Sequence, residues 1–268
     1  ITLTWTGDSD WYGHYVCIND ASGNILSKNY FTNTGSLQAE IASAANYYVK
    51  VDGSAYEQED YKIKAVSSST TGLREIEGNN SISTANVLAS GSTGITGQTI
   101  SSSDHDYYEI TLTSNKVVKV TFEGDSDFYK HTVSLLDASG SVLASKLIGN
   151  ASTKYPSDNK LIVNIANAGK YYVKVHGSGH EQDDYSLSWE TAESGLALYE
   201  TETNNTIETA NSFNEKLRGS QNSTMTGQIS SASDIDYYKI LDIKGNNLIK
   251  ISWAGDGDWA GHYVSLVD

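Results

Sequence analysis

The sequence predicts an all-β protein made of β-sandwich repeats, and three observations carry that expectation. First, apolar and polar residues alternate in Val118-Lys119-Val120-Thr121-Phe122, Tyr171-Tyr172-Val173-Lys174-Val175-His176, Tyr47-Tyr48-Val49-Lys50-Val51-Asp52 and Leu248-Ile249-Lys250-Ile251-Ser252-Trp253. Period-2 runs of this length, bounded by Gly, Asn, Asp and Ser clusters, are strands with one face in a core. Second, tyrosine (18) far outnumbers phenylalanine (4), and Pro156 is the single proline. Tyr, Thr and Val suit pleated, half-buried surfaces, whereas Gly, Asn, Asp and Ser supply turns. Third, Gly-Asp-x-Asp followed by an aromatic occurs three times: at Gly7-Asp8-Ser9-Asp10-Trp11, Gly124-Asp125-Ser126-Asp127-Phe128 and Gly255-Asp256-Gly257-Asp258-Trp259, at steps of 117 and 131 residues. Repetition at a domain-sized step is the mark of an array.

The copies align in order along the chain. The opening segment, residues 1–66, reads as the second half of a repeat. Its strands Tyr15 to Ile18 and Ile25 to Leu26 flank the turn Asp20-Ala21-Ser22-Gly23-Asn24, and it closes at Tyr56-Glu57-Gln58-Glu59-Asp60-Tyr61. Residues 67–74 are polar and read as a linker. Residues 75–190 form the complete copy. It opens at Glu75-Ile76-Glu77-Gly78-Asn79-Asn80 and passes through a short helical hint at Ile82–Asn86. Next come Thr96-Gly97-Gln98 and Ser103-Asp104-His105-Asp106-Tyr107-Tyr108, then the Gly124 loop, the matching turn Asp137-Ala138-Ser139-Gly140-Ser141, and Gly169-Lys170-Tyr171-Tyr172-Val173. It closes at Asp184-Tyr185-Ser186-Leu187-Ser188-Trp189. A second linker covers residues 191–199. Residues 200–268 read as the first half of another copy, from Glu200-Thr201-Glu202-Thr203-Asn204-Asn205 through Thr226-Gly227-Gln228 to Asp234-Ile235-Asp236-Tyr237-Tyr238. A half sandwich cannot cover its own apolar face. The terminal halves are therefore expected to be completed by neighbouring repeats, by identical subunits or by each other, in a longer or polymeric parent.

Charge narrows the function. A net charge of −15 and a pI near 4.7 argue against nucleic acid, which needs clustered Lys and Arg, and against anionic membrane surfaces. Acidity suits cation binding or plain solubility. No run approaches the roughly 18 apolar residues of a membrane span. Cys17 is the lone cysteine, so no disulfide forms within the chain, and its setting in Tyr15-Val16-Cys17-Ile18 makes it a small core hydrophobe. Sequons at Asn79, Asn150, Asn204 and Asn222 fit an exposed extracellular surface.

The ordered phrases Glu-x-Glu-x-Asn-Asn, Ala-Asn, Thr-Gly-x-Ile, Asp-x-Asp-Tyr-Tyr, Gly-Asp-x-Asp, Asp-x-x-Gly, Gly-x-Tyr-Tyr-Val-x-Val and Asp-Tyr-x-Leu resemble the bacterial pre-peptidase C-terminal domain. That family includes the collagen-binding domains of clostridial collagenases. The resemblance covers Glu75 to Trp189 and both partial copies. It implies tandem jelly-roll-like β-sandwich repeats, one complete copy flanked by two half copies, with an accessory role in secreted proteins. In the collagenase branch it also implies calcium at the N-terminal linker. The chain departs from the family after the Gly-Asp-x-Asp loop, where Trp11-Tyr12-Gly13-His14, Phe128-Tyr129-Lys130-His131 and Trp259-Ala260-Gly261-His262 intervene. No specific ligand is therefore carried over.

The expected metal ligands are Glu75, Glu77 and Asn79, and Glu200, Glu202 and Asn204. Alternation sets each trio on one side of an extended segment, and Ca²⁺ takes six to eight such oxygens. By resemblance, Asp104 and Asp106, and Asp234 and Asp236, close the two cages. A second acidic group, Glu57-Gln58-Glu59-Asp60 with its counterpart Glu181-Gln182-Asp183-Asp184, reads as a solvated hairpin tip, against the alternative that it faces the Gly-Asp-x-Asp loop and holds another cation. His14, His131 and His262 recur once per copy, too few for zinc, so a structural role is expected. Trp11, Tyr12, Phe128, Tyr129 and Trp259 are candidates for a ligand surface, against the simpler reading that they cap the core. No Gly-x-Ser-x-Gly, His-Glu-x-x-His or phosphate loop occurs, so the chain does not read as an enzyme. The expectation is a non-catalytic, calcium-stiffened repeat module of a large secreted or cell-surface bacterial protein: a fibre, filament or adhesin. The alternative is a set of collagen- or polysaccharide-binding accessory domains beside a hydrolase.

Overall fold

The computed structural model describes residues 1–7, 13–53, 60–69, 72–124, 131–148, 159–177, 184–193, 199–213, 224–231, 233–240, 245, 249–254 and 262–267. All three Gly-Asp-x-Asp loops lie largely outside these residues. So do Trp11, Tyr12, Phe128, Tyr129 and Trp259, the candidates for a ligand surface.

Two facing sheets make up the central segment. The first is four-stranded, in the order β13 (Lys160–Ile165), β10 (Lys116–Glu123), β15 (Tyr185–Glu193), β8 (Gly91–Gly97). The second is five-stranded: β12 (Val142–Ile148), β11 (His131–Leu136), β14 (Gly169–His176), β9 (Asp106–Leu112), β7 (Asn86–Val87). All neighbours are antiparallel except β7 beside β9. The period-2 pattern acts as expected. Val118, Val120 and Phe122 of β10, Leu187 and Trp189 of β15, Tyr108, Ile110 and Leu112 of β9, and Val173 and Val175 of β14 meet in one buried core. The strand β15 continues through Thr191–Glu193 opposite Val118–Lys116, beyond Trp189 where the phrase pattern closes. The helical hint is a single 3-10 turn, Ile82–Thr84.

Residues 1–66 repeat part of this plan. Sheet β4 (Gly35–Gln38)–β1 (Thr2–Thr6)–β6 (Lys62–Val66) has the order of β13–β10–β15, and β3 (Ile25–Phe31)–β2 (His14–Asn19)–β5 (Tyr48–Gly53) that of β12–β11–β14. Leu3, Trp5, Val16, Ile18, Phe31, Leu37 and Ala39 form its core, and Cys17 is buried. The two Asp turns match atom for atom. Asp20 Oδ1 accepts from Ser22 N and Asn24 N, and Asp137 Oδ1 from Ser139 N and Ser141 N. Each turn places a glycine, Gly23 at φ +85° or Gly140 at φ +89°, where a side chain would be strained. Where β5 ends its sheet, Val49 is 39% exposed, whereas its counterpart Val173, flanked by β9, is fully buried.

In residues 200–268 the pairing of β16 (Asn211–Ser212) with β17 (Tyr238–Lys239) repeats that of β7 with β9. Of the strand expected over Leu248–Trp253, the described residues 249–253 carry no strand, and Ile251 and Trp253 are exposed. Alternation supplies a strand's faces but not its ladder. The equivalents of β13 and β15, which flank β10, are not among the described residues of this segment. No helix of the described residues is long and apolar enough to cross a membrane.

Candidate metal centre

The alternation of β9 continues past its apolar residues. Asp106, Tyr108, Ile110 and Leu112 share the inner face, so the row that fills the core begins with a carboxylate at the open end of the sandwich. Across from it, β15 opens with Tyr185. The Tyr185 hydroxyl donates to Asp106 Oδ2 (2.6 Å), and the Tyr108 hydroxyl to Glu75 Oε2 (2.7 Å), with the two hydroxyls 2.6 Å apart. Glu75 is held there because its chain pairs with β8: Glu75 N donates to Thr96 O and Thr96 N to Leu73 O. The turn after β8 closes the ring, with Gln98 N donating to Glu75 Oε1 at 2.5 Å. A Cβ at Gly97 would collide with the phenols of Tyr185 and Tyr108, which explains the glycine of the Thr-Gly-Gln phrase.

Glu75, Asn79, Asp104 and Asp106 are buried, and Glu77 is half-buried. Carboxylate oxygens of Glu77, Asp104 and Asp106 all lie within 4.8 Å of one another. The nearby cation Arg74 is engaged elsewhere, in a two-pronged pair with Asp184 (2.7 and 2.6 Å). Burial is the main force on every carboxyl of the group. It pushes Glu75 up to about 7 and raises Asp104. Glu77 is pushed up to about 10, first by burial and then by the charges of Glu75 and Asp104. Asp106 is driven well above the usual carboxylate range by the same causes.

The second copy of the phrase builds the same arrangement. Oxygens of Glu200, Glu202 and Asp236 lie within 4.8 Å of one another. Gln228 N donates to Glu200 Oε1, and the Tyr238 hydroxyl to Glu200 Oε2 (2.6 Å). Burial, then Asp234 and Glu200, push Glu202 up to about 7; burial, then Glu200 and Asp234, push Asp236 up to about 8. Asp234 sits at the margin, accepting from Ser230 N and Oγ (2.6 and 2.8 Å), as Asp104 accepts from Ile100 N (2.8 Å).

Each arrangement fits a cation. Glu77 Oε1, Asn79 Oδ1 and Asp106 Oδ1 in the first, and Glu202 Oε1 in the second, are buried with no hydrogen-bond partner. Both asparagines are turned alike. Asn79 Nδ2 donates to Glu75 Oε2 (3.2 Å) and Asn204 Nδ2 to Glu200 Oε2 (3.3 Å), which aims each carbonyl oxygen inward. The Asn204 oxygen then stands 3.2 Å from Glu202 Oε2 and 3.2 Å from Asp236 Oδ1. Reversing that amide would relieve these contacts only by setting its oxygen against Glu200 Oε2. Oxygens bound to one Ca²⁺ at roughly 2.4 Å stand at most about 4.8 Å apart, and the donors are all oxygens, as a hard cation requires.

The structure thus brings together Glu75, Glu77, Asn79, Asp104 and Asp106, and likewise Glu200, Glu202, Asn204, Asp234 and Asp236. Tyr108, Tyr185, Tyr238 and the Gln98 and Gln228 amides were not among the expected site residues. The recurrence of Thr-Gly-Gln and Asp-x-Asp-Tyr-Tyr was their available signal. Asp184, expected at a solvated tip, is the partner of Arg74. The recurring histidines lie against aromatic rings: His14 beside Trp5 (5.0 Å), His131 beside Phe122 (4.9 Å) and His262 beside Trp253 (5.0 Å). His131 Nε2 also meets Thr99 Oγ1 at 3.1 Å.

Fold and site together define a β-sandwich module with an oxygen-lined cage at one end. Residues 104–177 match the family model of the bacterial pre-peptidase C-terminal domain, so the resemblance drawn from the repeat phrases is shown for that segment. Asp104 and Asp106 fall inside the match; Glu75, Glu77 and Asn79 precede it. Among solved structures the chain is similar to the pre-peptidase C-terminal domain of collagenase from Bacillus anthracis, at 22% identity and a TM-score of 0.32, covering 40% of this chain and 94% of that one. It is also similar to a chain of the infectious bursal disease virus Gx strain, at 11% identity and a TM-score of 0.22, covering 73% of this chain and 57% of that one. Comparison with curated proteins gives no match.

Proposed function

We propose that this chain is a non-catalytic, calcium-binding repeat module of a secreted or cell-surface bacterial protein, giving length, assembly or adhesion. The observation that carries the reading is the pair of like-built cages, each with an inward-turned asparagine oxygen among raised carboxyls. A bound cation would supply the positive charge that lets these carboxylates ionise together. Glu75, Glu77, Asn79, Asp104 and Asp106 would hold one ion, and Glu200, Glu202, Asn204, Asp234 and Asp236 the other. Each cage opens a copy of the repeat, so the ion would stiffen the junction between copies. Calorimetric titration of metal-stripped protein tests this directly. Two calcium sites per chain and a raised melting temperature support it; no heat and no thermal shift at millimolar calcium overturn it.

The family match favours one other reading, an accessory module that binds collagen or polysaccharide beside a hydrolase. Co-sedimentation with insoluble collagen and polysaccharides separates the two. Saturable retention on one polymer would favour the accessory role.

A further inference from the structure

The Gln98 residue has two faces that serve different partners. Its backbone N–H is fixed by Glu75 of the cage, but its side chain leaves the central segment and meets β3 of residues 1–66. Gln98 Oε1 accepts from Lys28 N (2.9 Å) and Ser27 Oγ (3.1 Å), and Gln98 Nε2 donates to Lys28 O (2.8 Å). The carboxamide thus occupies the place that a neighbouring strand's peptide would take against the N–H and C=O of Lys28. The strand β3 lies at the edge of its sheet, where backbone groups otherwise face water or a foreign strand. Gln98 is 1% exposed and Ser27 fully buried, so the contact is dry. A buried amide with both ends bonded fixes orientation as well as distance.

Both junctions also carry a contact from within or just beyond the equivalent edge strand, β4 or β13. Gly72 N donates to Glu40 Oε1 (3.2 Å), joining the stretch before Glu75 to the end of β4. At the next junction Asn164 Nδ2 donates to Thr201 Oγ1 (2.6 Å), and the two residues form a parallel bridge. Glu40 and Asn164 each lie three residues beyond an equivalent leucine: Leu37, opposite Leu3, and Leu161, opposite Val120. The backbone half of the Gln98 arrangement recurs as well, Gln228 N donating to Glu200 Oε1.

We propose that the Gln98 side chain is a latch by which one segment caps the exposed β3 edge of the segment before it, and that cation occupancy of the Glu75 cage tightens this latch. The second half rests on the calcium reading above. An ion drawing Glu75 inward holds the acceptor that orients Gln98, and so holds the amide against Lys28. Linkage makes the coupling reciprocal: if the ion tightens the joint, loss of the joint weakens the ion by the same factor. A substitution on β3, in another segment and without contact to the cage, must therefore lower calcium affinity.

The experiment uses the full chain carrying Asp236→Asn, which leaves the central cage as the calcium site to be titrated. Lys28→Pro removes the donated N–H while Pro stays tolerable on an outward edge position; Gln98→Ala removes the latch from the other side. Spin labels at Ala21→Cys and Ala138→Cys, on the two matching turns, report the joint, with the buried Cys17 replaced by alanine. In the parent chain, calcium should narrow the distance distribution. Both latch variants should broaden it and weaken calcium binding about fivefold, at the low end of ordinary coupling. Unchanged distributions in both variants overturn the latch. Broadened distributions with calcium affinity unchanged in Lys28→Pro overturn the coupling and keep the latch. If the parent binds no calcium, the functional reading and the coupling fall together, and the metal-free distributions of parent and variants still decide the latch.

Discussion

The pH dependence of the metal-free protein should run opposite to that of an ordinary salt-bridged carboxylate. Glu75 is 3% exposed and its carboxyl is pushed from 4.5 up to about 7. A pKa raised by folding adds stability that is fully present below the unfolded value and is lost as pH climbs through the folded one. For Glu75 that window runs from 4.5 to about 7, and Glu77, pushed up to about 10, extends the loss to higher pH. At about 1.4 kcal/mol per unit, Glu75 alone accounts for roughly 3 kcal/mol. In a domain of this size that is on the order of 10 °C in melting temperature. The carboxyls titrate as a coupled group, so the loss is read as one broad decline. Calcium needs the ionised carboxylates, and its stabilisation must grow over the window in which the metal-free protein weakens. Scanning calorimetry of stripped protein from about pH 5 to about pH 8, with and without millimolar calcium, measures both effects. A metal-free melting temperature that is flat or rising across that range, or a calcium shift equal at its two ends, would refute the reasoning.

Further consequences follow from particular contacts. Asp106→Asn keeps an acceptor for the Tyr185 hydroxyl but removes one buried charge; calorimetric stoichiometry should fall from two calcium ions to one, while the metal-free protein melts higher at alkaline pH. Gly97→Ala drives a methyl into the Tyr185 and Tyr108 phenols, so it should cost about 1–3 kcal/mol in urea unfolding and weaken calcium at the central cage. Leu135→Ala, at a fully buried core position whose side chain offers no ligand to the cage, should cost about 2–5 kcal/mol with calcium stoichiometry intact. Asp137 is held below the usual carboxylate range by bonds from Ser139, Ser141 and Gly140. Its contribution is present above the ordinary carboxylate value and fades in acid, so Asp137→Ala should cost about 1 kcal/mol near neutrality and progressively less toward low pH.

Much of this architecture is legible in the sequence because its governing pattern is local. The run Asp106-Tyr107-Tyr108-Glu109-Ile110-Thr111-Leu112 shows by alternation alone that an aspartate shares a face with three core residues. The Asp20 and Asp137 turns announce themselves through Asp followed by Gly three residues on. What alternation cannot supply is which distant elements meet. Tyr185 reaches Asp106 across 79 positions, a proximity created by the order in which β15 and β9 enter their sheets. The glycine of Thr96-Gly97-Gln98 is visible as a recurring letter, yet its reason lies in two phenols brought to it only by folding. Residues 249–253 carry no strand for the complementary reason: alternation describes one strand's faces, while a ladder needs neighbours.

The short stretch from Thr96 to Tyr108 ties the entering chain, the cage and the β3 contact together. Thr96 pairs with the chain entering the copy, Gly97 makes room for the phenols, and Gln98 holds Glu75 with its backbone. Thr99 meets His131, and Asp104, Asp106 and Tyr108 finish the cage. Each contact depends on its neighbour's position to within a hydrogen bond, so an insertion anywhere in the stretch would displace a cage ligand and the Gln98 latch together. An insertion in the exposed Asp137 turn would disturb neither. Stability, cation binding and the joint are therefore expected to fail as a group when this stretch is altered and separately when other loops are.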